Sequence, residues 1–281
     1  MKKVSLLTLI VFIVTIFSFP MGVFADNAGL TENDYQAADP RPKIESAIAK
    51  QRENDLKELM DIREQALNGE VKKEAYEKAL KQFVMKWKKP KSSNELDTSS
   101  TDVSIQGSGD TNVLYVDRVG QETTYYCGPA SAYQLLDYEG VSSNPHDGRS
   151  LTQSNLADDL GTTTNGTPFG SNWEDTLHDW DGAYWFLKWS PDESYLMGAT
   201  MQDVDAGYPL IYDTHMNSSN GYLPGYSSGE IYHYITGDGY DDPDNQIHYV
   251  DPNRYRDAAW GAHWVSLSLM TDVCSDRGII W

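Results

Sequence analysis

Gln121-Glu-Thr-Thr-Tyr-Tyr-Cys127-Gly-Pro-Ala-Ser131 sets an amide side chain, a thiol and a helix start within one short segment. Pro129 suits the first turn of a helix, where its missing N–H would have no partner anyway. Ala132, Tyr133, Leu135 and Leu136 then carry the apolar spacing of a buried helix, and Gly140 supplies a stop. A thiol at a helix N-terminus feels the positive end of the helix dipole, which favours the nucleophilic thiolate. Gln121 is placed to donate, beside the backbone N–H of Cys127, to an oxyanion developing on a carbonyl under attack.

A thiol nucleophile needs a base, and the base needs a group that orients it. Of the six histidines, His233 stands in the alternating run Glu230-Ile-Tyr-His-Tyr-Ile-Thr236. A turn-rich stretch, residues 237–245, separates it from a second strand, Gln246-Ile-His-Tyr-Val-Asp251. Closing these as an antiparallel hairpin with His233 opposite Asp251 also pairs Ile235 with Tyr249 and Gly237 with Ile247, all on one face. Imidazole and carboxylate then become cross-strand neighbours, which completes a Cys127–His233–Asp251 triad. That register turns His248 to the opposite face.

Each residue also has a plainer reading. Cys127 and Cys274 are the two cysteines, and in an exported chain they are candidates for a structural disulfide. A strand histidine is commonly a hydrogen-bonded core residue, and an aspartate before Pro252 commonly shapes a turn. It is the joint order of donor, thiol, histidine and aspartate that points to catalysis.

With those residues in place, Tyr126-Cys127-Gly128-Pro129-Ala130 and the upstream Gln121 resemble the active-site segment of the papain-like cysteine peptidases that process bacteriocin leaders. The chain is closer to their stand-alone, secreted "C39-like" relatives. His233-Tyr-Ile-Thr-Gly237-Asp-Gly-Tyr240, followed by Tyr249-Val-Asp251-Pro252, resembles the second signature of that family. The likeness runs from about Val113 to Arg256. It implies an α+β papain-like fold, a catalytic helix packed on an antiparallel sheet. It also implies Gln121 as oxyanion donor, Cys127 as nucleophile, His233 as base and Asp251 as its orienter. Such chemistry needs no cofactor and no metal, and its substrate is a peptide or protein. The bacteriocin role does not carry over, because leader peptidases are usually fused to export machinery and this sequence shows neither its spans nor its nucleotide-binding loop. Related Cys-His-Asp chemistry serves transglutaminase-like acyl transfer, and a binding or adhesion module on the same fold is the non-catalytic alternative.

The N-terminus reads as a secretory signal peptide over residues 1–25: Lys2 and Lys3, an apolar run to Phe19, then Val23-Phe-Ala25. The expectation is an exported protein, membrane-bound only if that segment stays uncleaved. A polar lead-in, 26–41, precedes a helical hairpin over 42–90, whose apolar residues recur at helical spacing around an Asn68-Gly69 turn. Residues 91–110 are a Ser/Thr/Asp/Gly-rich linker, and 111–281 form the catalytic domain.

The net charge of −20 is unevenly divided. Residues 111–281 hold 25 acidic and 6 basic side chains, whereas residues 39–91 hold 10 acidic and 14 basic. A basic arm on a tether is attracted to an acidic domain, so residues 42–90 are expected to dock intramolecularly as a pro-segment, the alternative being an independent spacer or wall-facing module. The acidic domain excludes nucleic acid as a partner, since that calls for a basic surface. Asp238, Asp241, Asp242 and Asp244 lack EF-hand spacing and read as a solvated turn, and His215, His248 and His263 have no zinc-ligand spacing.

Overall fold

A computed structural model describes residues 43–87, 111–170 and 172–281. The signal peptide, the lead-in and the linker expected from the sequence lie outside these residues. Two helices, α1 (Lys43–Leu67) and α2 (Lys73–Trp87), form the hairpin. Beyond β1 (Thr111–Val113) come α3 (Cys127–Tyr138), α4 (Gln153–Leu160) and α5 (Asn172–Asp181). Then follow β2 (Leu187–Trp189), α6 (Glu193–Ala206), β3 (Leu210–Met216), β4 (Ile231–Asp241), β5 (Gln246–Asp251), β6 (Gly261–Ser266), α7 (Leu267–Cys274) and β7 (Gly278–Ile280). No helix among the described residues is long and apolar enough to cross a membrane.

The strands make one antiparallel sheet in the order β2-β7-β3-β4-β5-β6, with β1 on the far end of β4. Side chains alternate across it, so each central strand feeds two cores. Ile211, Tyr234 and Ile280 join Leu135, Leu136, Trp173 and Leu177 on the α3–α5 side. Leu210, Tyr212, Ile235 and Ile279 join Met197, Met201, Met270 and Val273 on the side of α6 and α7. Local signals start and stop the helices between them. Asp192 accepts from the Tyr195 N–H to cap α6, Thr152 accepts from Asn155 N–H to cap α4, and Gly207 and Gly161 end these helices in the left-handed conformation.

The hairpin turn differs from the register expected from sequence. β4 runs on to Asp241 and pairs it with Gln246, so the turn is only residues 242–245. Asp238 is then bulged out between Gly237, opposite Tyr249, and Gly239, opposite His248. The shorter turn shifts the pairing by three relative to the expected register and the extra residue takes one step back, so beyond the bulge the shift is two. One further step of the ladder sets Asp251 beside Ile235, and His233 lies diagonal to Asp251. The bulged Asp238 points to the other face, accepting from the Val116 N–H and pairing with His248 Nδ1 at 2.6 Å. Asp241 accepts from Thr111 and from the Asp244 N–H, and Asp242 pairs with Arg63.

α6 is buried almost all round because it is covered twice, by the sheet and by the hairpin. Leu56, Leu59, Met60, Tyr76, Leu80 and Phe83 complete the core on its outer side. Gly198 makes the approach close: a Cβ there would meet Met60 Sδ at 2.6 Å and Leu56 Cδ1 at 2.9 Å. Arg52, 1% exposed, pairs with Asp203 at 3.0 Å, bonds Gln202 and the Trp281 carbonyl, and lays its guanidinium 3.6 Å over the Trp281 ring. Arg52→Met leaves a buried carboxylate without its counter-charge, and urea midpoints are expected to show a loss of about 3–5 kcal/mol. Gly198→Leu is expected to pry the hairpin away, seen as faster proteolysis within residues 43–87.

Candidate active site

Cys127 is the first residue of α3 and is buried at the edge of the core that also holds Leu135, Leu136 and Tyr234. Gly128 beside it has no room for a side chain, since a Cβ would stand 2.3 Å from Thr167 Oγ1. The helix is registered on β4 by Thr236, whose hydroxyl bonds Gln134 Oε1 at 2.7 Å and lies 3.3 Å from the Ser131 carbonyl. Farther toward the start of β4, the Tyr234 hydroxyl donates to the Thr167 carbonyl, next to Gly128. With a rise of about 1.5 Å per residue on the helix and about 3.3 Å on the strand, the step from Ser131 back to Cys127 matches the step from Thr236 back to Tyr234.

Gln121 is held by its backbone. Its N–H donates to the Pro252 carbonyl at 2.8 Å, so the segment leading to Cys127 is fastened to the residue after Asp251. Gln153 brackets it, accepting from the Glu122 N–H and donating to the Gly120 carbonyl, both at 2.9 Å. Gln134 donates to the Val119 carbonyl. The Gln121 Nε2 donates to the Thr123 carbonyl at 2.8 Å, which uses one of the two hydrogens of that amide.

His233 Nε2 meets Asp251 Oδ1 at 2.8 Å, across the diagonal of the hairpin, within reach for long side chains. Asp251 has no exposure to water. Its Oδ1 also accepts from the Asn253 N–H at 2.7 Å, and its Oδ2 accepts from the Tyr226 hydroxyl at 3.0 Å. One oxygen of Asp251 thus serves both the turn, through the Asn253 N–H, and the His233 ring. The sequence reading missed Tyr226, Asn253, Gln134 and Gln153. Asn253, two residues beyond Asp251, had a readable signal as the partner of an aspartate turn. Tyr226 had none, because it comes from a separate loop.

Neither Cys127 nor Cys274 is in a disulfide, and they belong to different cores. No disulfide joins them, because α3 and α7 lie on opposite faces of the sheet. Burial pushes the Cys274 thiol well above its ordinary range, so it is a poor nucleophile. Among the described residues no group of His, Cys, Asp and Glu is arranged to hold a metal ion. In native protein treated with iodoacetamide, Cys274 is expected to stay unlabelled until denaturant is added, as read by peptide mapping. Gln153→Leu strands the Glu122 N–H and the Gly120 carbonyl. It is expected to cost about 1–3 kcal/mol in unfolding experiments and to slow labelling of Cys127.

Comparison with known proteins adds the following. The model of the Peptidase_C39 like family matches residues 113–267, from the end of β1 to the start of α7 and more than half of the chain. Among solved structures the chain is similar to xylellain, a cysteine protease from Xylella fastidiosa, at 12% identity over 60% of this chain and 84% of that one. The TM-score is 0.33. No curated protein matches. The segment bearing Cys127 and the hairpin bearing His233 and Asp251 both fall inside the matched span, and the chain belongs to the Peptidase_C39 like family, with the α+β, papain-like fold that membership carries.

Proposed function

We propose that the protein hydrolyses peptide or amide bonds through an acyl-enzyme on Cys127, with His233 and Asp251 completing a triad. The observation that carries this reading is the His233 Nε2–Asp251 Oδ1 hydrogen bond at 2.8 Å, beside a segment that runs from Gln121 to Cys127 and is itself bonded to Pro252. With Nε2 engaged by the carboxylate, Nδ1 is the ring atom that serves the thiol. Strand alternation gives Tyr234 and Thr236 to the α3 side and turns His233 to the other face, so this reading requires the imidazole to reach the thiol where β5 ends, at Asp251.

In the reaction, Cys127 Sγ attacks the scissile carbonyl while the thiol proton resides on His233. The oxyanion takes hydrogen bonds from the Cys127 N–H and the second Gln121 amide hydrogen. His233 protonates the leaving amine, and the C–N bond breaks to leave a thioester. His233 then takes a proton from water, which attacks the thioester and releases the acid with Cys127 restored.

In this reading residues 1–25 direct export and the enzyme acts outside the cytoplasm. The hairpin, docked on α6 across the sheet from α3, acts as a pro-segment. If it inhibits, Gly198→Leu raises activity, whereas loss of activity marks it as a stabilising lobe.

The test is intact-mass analysis after iodoacetamide treatment near neutral pH, comparing wild type with Cys127→Ala and His233→Ala. Rapid single labelling that vanishes in the first variant and slows in the second is the expected result. Cleavage of a peptide library is then expected to fall about a thousandfold or more in either variant. Labelling of Cys127 at the rate of an ordinary thiol, indifferent to His233, would sink the proposal in favour of a binding module.

A further inference from the structure

Asp251 is joined by two residues that the triad does not require. The Tyr226 hydroxyl reaches it from the loop between β3 and β4, and the Asn253 backbone N–H from the turn after β5, while the Asn253 side chain bonds Tyr226. The direction of their hydrogen bonds can be worked out from the ends inward. The Asn253 Oδ1 accepts from the Tyr255 N–H at 3.2 Å, which turns its Nδ2 toward Tyr226, where it donates to the hydroxyl at 3.1 Å. A hydroxyl that accepts from an amide is left to donate its own hydrogen, and Asp251 Oδ2 receives it at 3.0 Å. The chain thus runs from the Asn253 amide to the Tyr226 hydroxyl, to the Asp251 carboxylate, to the His233 ring.

Tyr226 is placed by more than this bond. Gly225, just before it, has φ +83° and lies so close to the backbone of Ala258 and Ala259 that a Cβ would stand 2.3 Å from the Ala259 nitrogen. The Tyr226 N–H donates to the Leu223 carbonyl, and Arg256 lies 5.0 Å over its ring while bonding the Gly225 carbonyl. The Tyr226 ring also stands 5.6 Å from the His233 ring. Burial, and then the Asp251 charge, hold the Tyr226 phenol well above its ordinary range, so it stays a donor wherever the enzyme would work. His233, Tyr226, Tyr249 and Arg256 are the titratable or charged groups gathered about this carboxylate and its phenol.

We propose that Tyr226 and Asn253 are positioning residues for the chemistry of Cys127, acting through Asp251 on the orientation of the His233 ring. The proposal rests on the reading of Cys127, His233 and Asp251 given above. The carboxylate has a filled partner set only while the phenol is present. Without it, Oδ2 is buried and unpaired, Asp251 turns to seek a donor, and the imidazole loses its fixed aim at the thiol.

The experiment is the pH dependence of iodoacetamide labelling of Cys127 in the full chain, for wild type, Tyr226→Phe, Asn253→Ala and His233→Ala, with a thermal melt of each. Tyr226→Phe is expected to label about tenfold more slowly at pH 6, with the profile moved upward by about one unit toward an ordinary thiol. Asn253→Ala is expected to move it the same way by less. A purely structural role would lower the melting temperature and leave the profile in place. Profiles that superimpose on wild type, or move downward, overturn the proposal while leaving the triad reading intact. A wild-type profile that matches His233→Ala removes the triad reading itself, and this proposal with it. Should Tyr226→Phe fail to fold, Asn253→Ala, which keeps the ring, decides by the same profile.

Discussion

A carboxylate with no access to water must find its hydrogen bonds inside the chain, and Asp251 is such a group. Leaving a buried charge unpaired costs several kcal/mol, so the surroundings are built to supply donors. They come from three separate places: the β4 imidazole, the backbone after β5 and a phenol from the loop before β4. Supplying them fixes the loop from residue 217 to 230 over the hairpin and the turn at Pro252 beneath it. The carbonyl of that turn in turn receives the Gln121 N–H. One buried charge thereby ties together the segments that carry every residue of the proposed site.

The sheet distributes the work between its faces. The side that carries α3 holds the thiol, registered by Thr236 on Gln134, and a pair of glutamines fixes the loop that bears Gln121. The opposite side carries α6, which would be too apolar for a surface helix. It is accommodated because α1 and α2 cover it, with Arg52 driven through to Asp203 and to the carbonyl of the last residue, Trp281. The attraction expected from overall charge is thus expressed in two specific pairs, Arg52 with Asp203 and Arg63 with Asp242, while apolar burial provides most of the contact. A third pair, Lys188 with Glu53, has the opposite polarity, since there the acid lies on the arm.

The sequence by itself determined the helix behind Cys127, the hairpin after His233, the two arm helices and the order of the chemical groups. These are local properties: a proline in the first turn, a period of two in the strands, a period near 3.6 in the arm, and turn residues between them. Tertiary structure alone decided the register, because the Asp238 bulge depends on a partner, His248, and on the Val116 N–H, neither of which strand periodicity can express. It also decided that Cys127 and Cys274 stand on opposite faces, since spacing along a chain says nothing about which side of a sheet each helix covers. Tyr226 was settled there as well: its role follows from Gly225 fitting against Ala259 and from a carboxylate in need of a donor, a meeting of loops far apart in sequence.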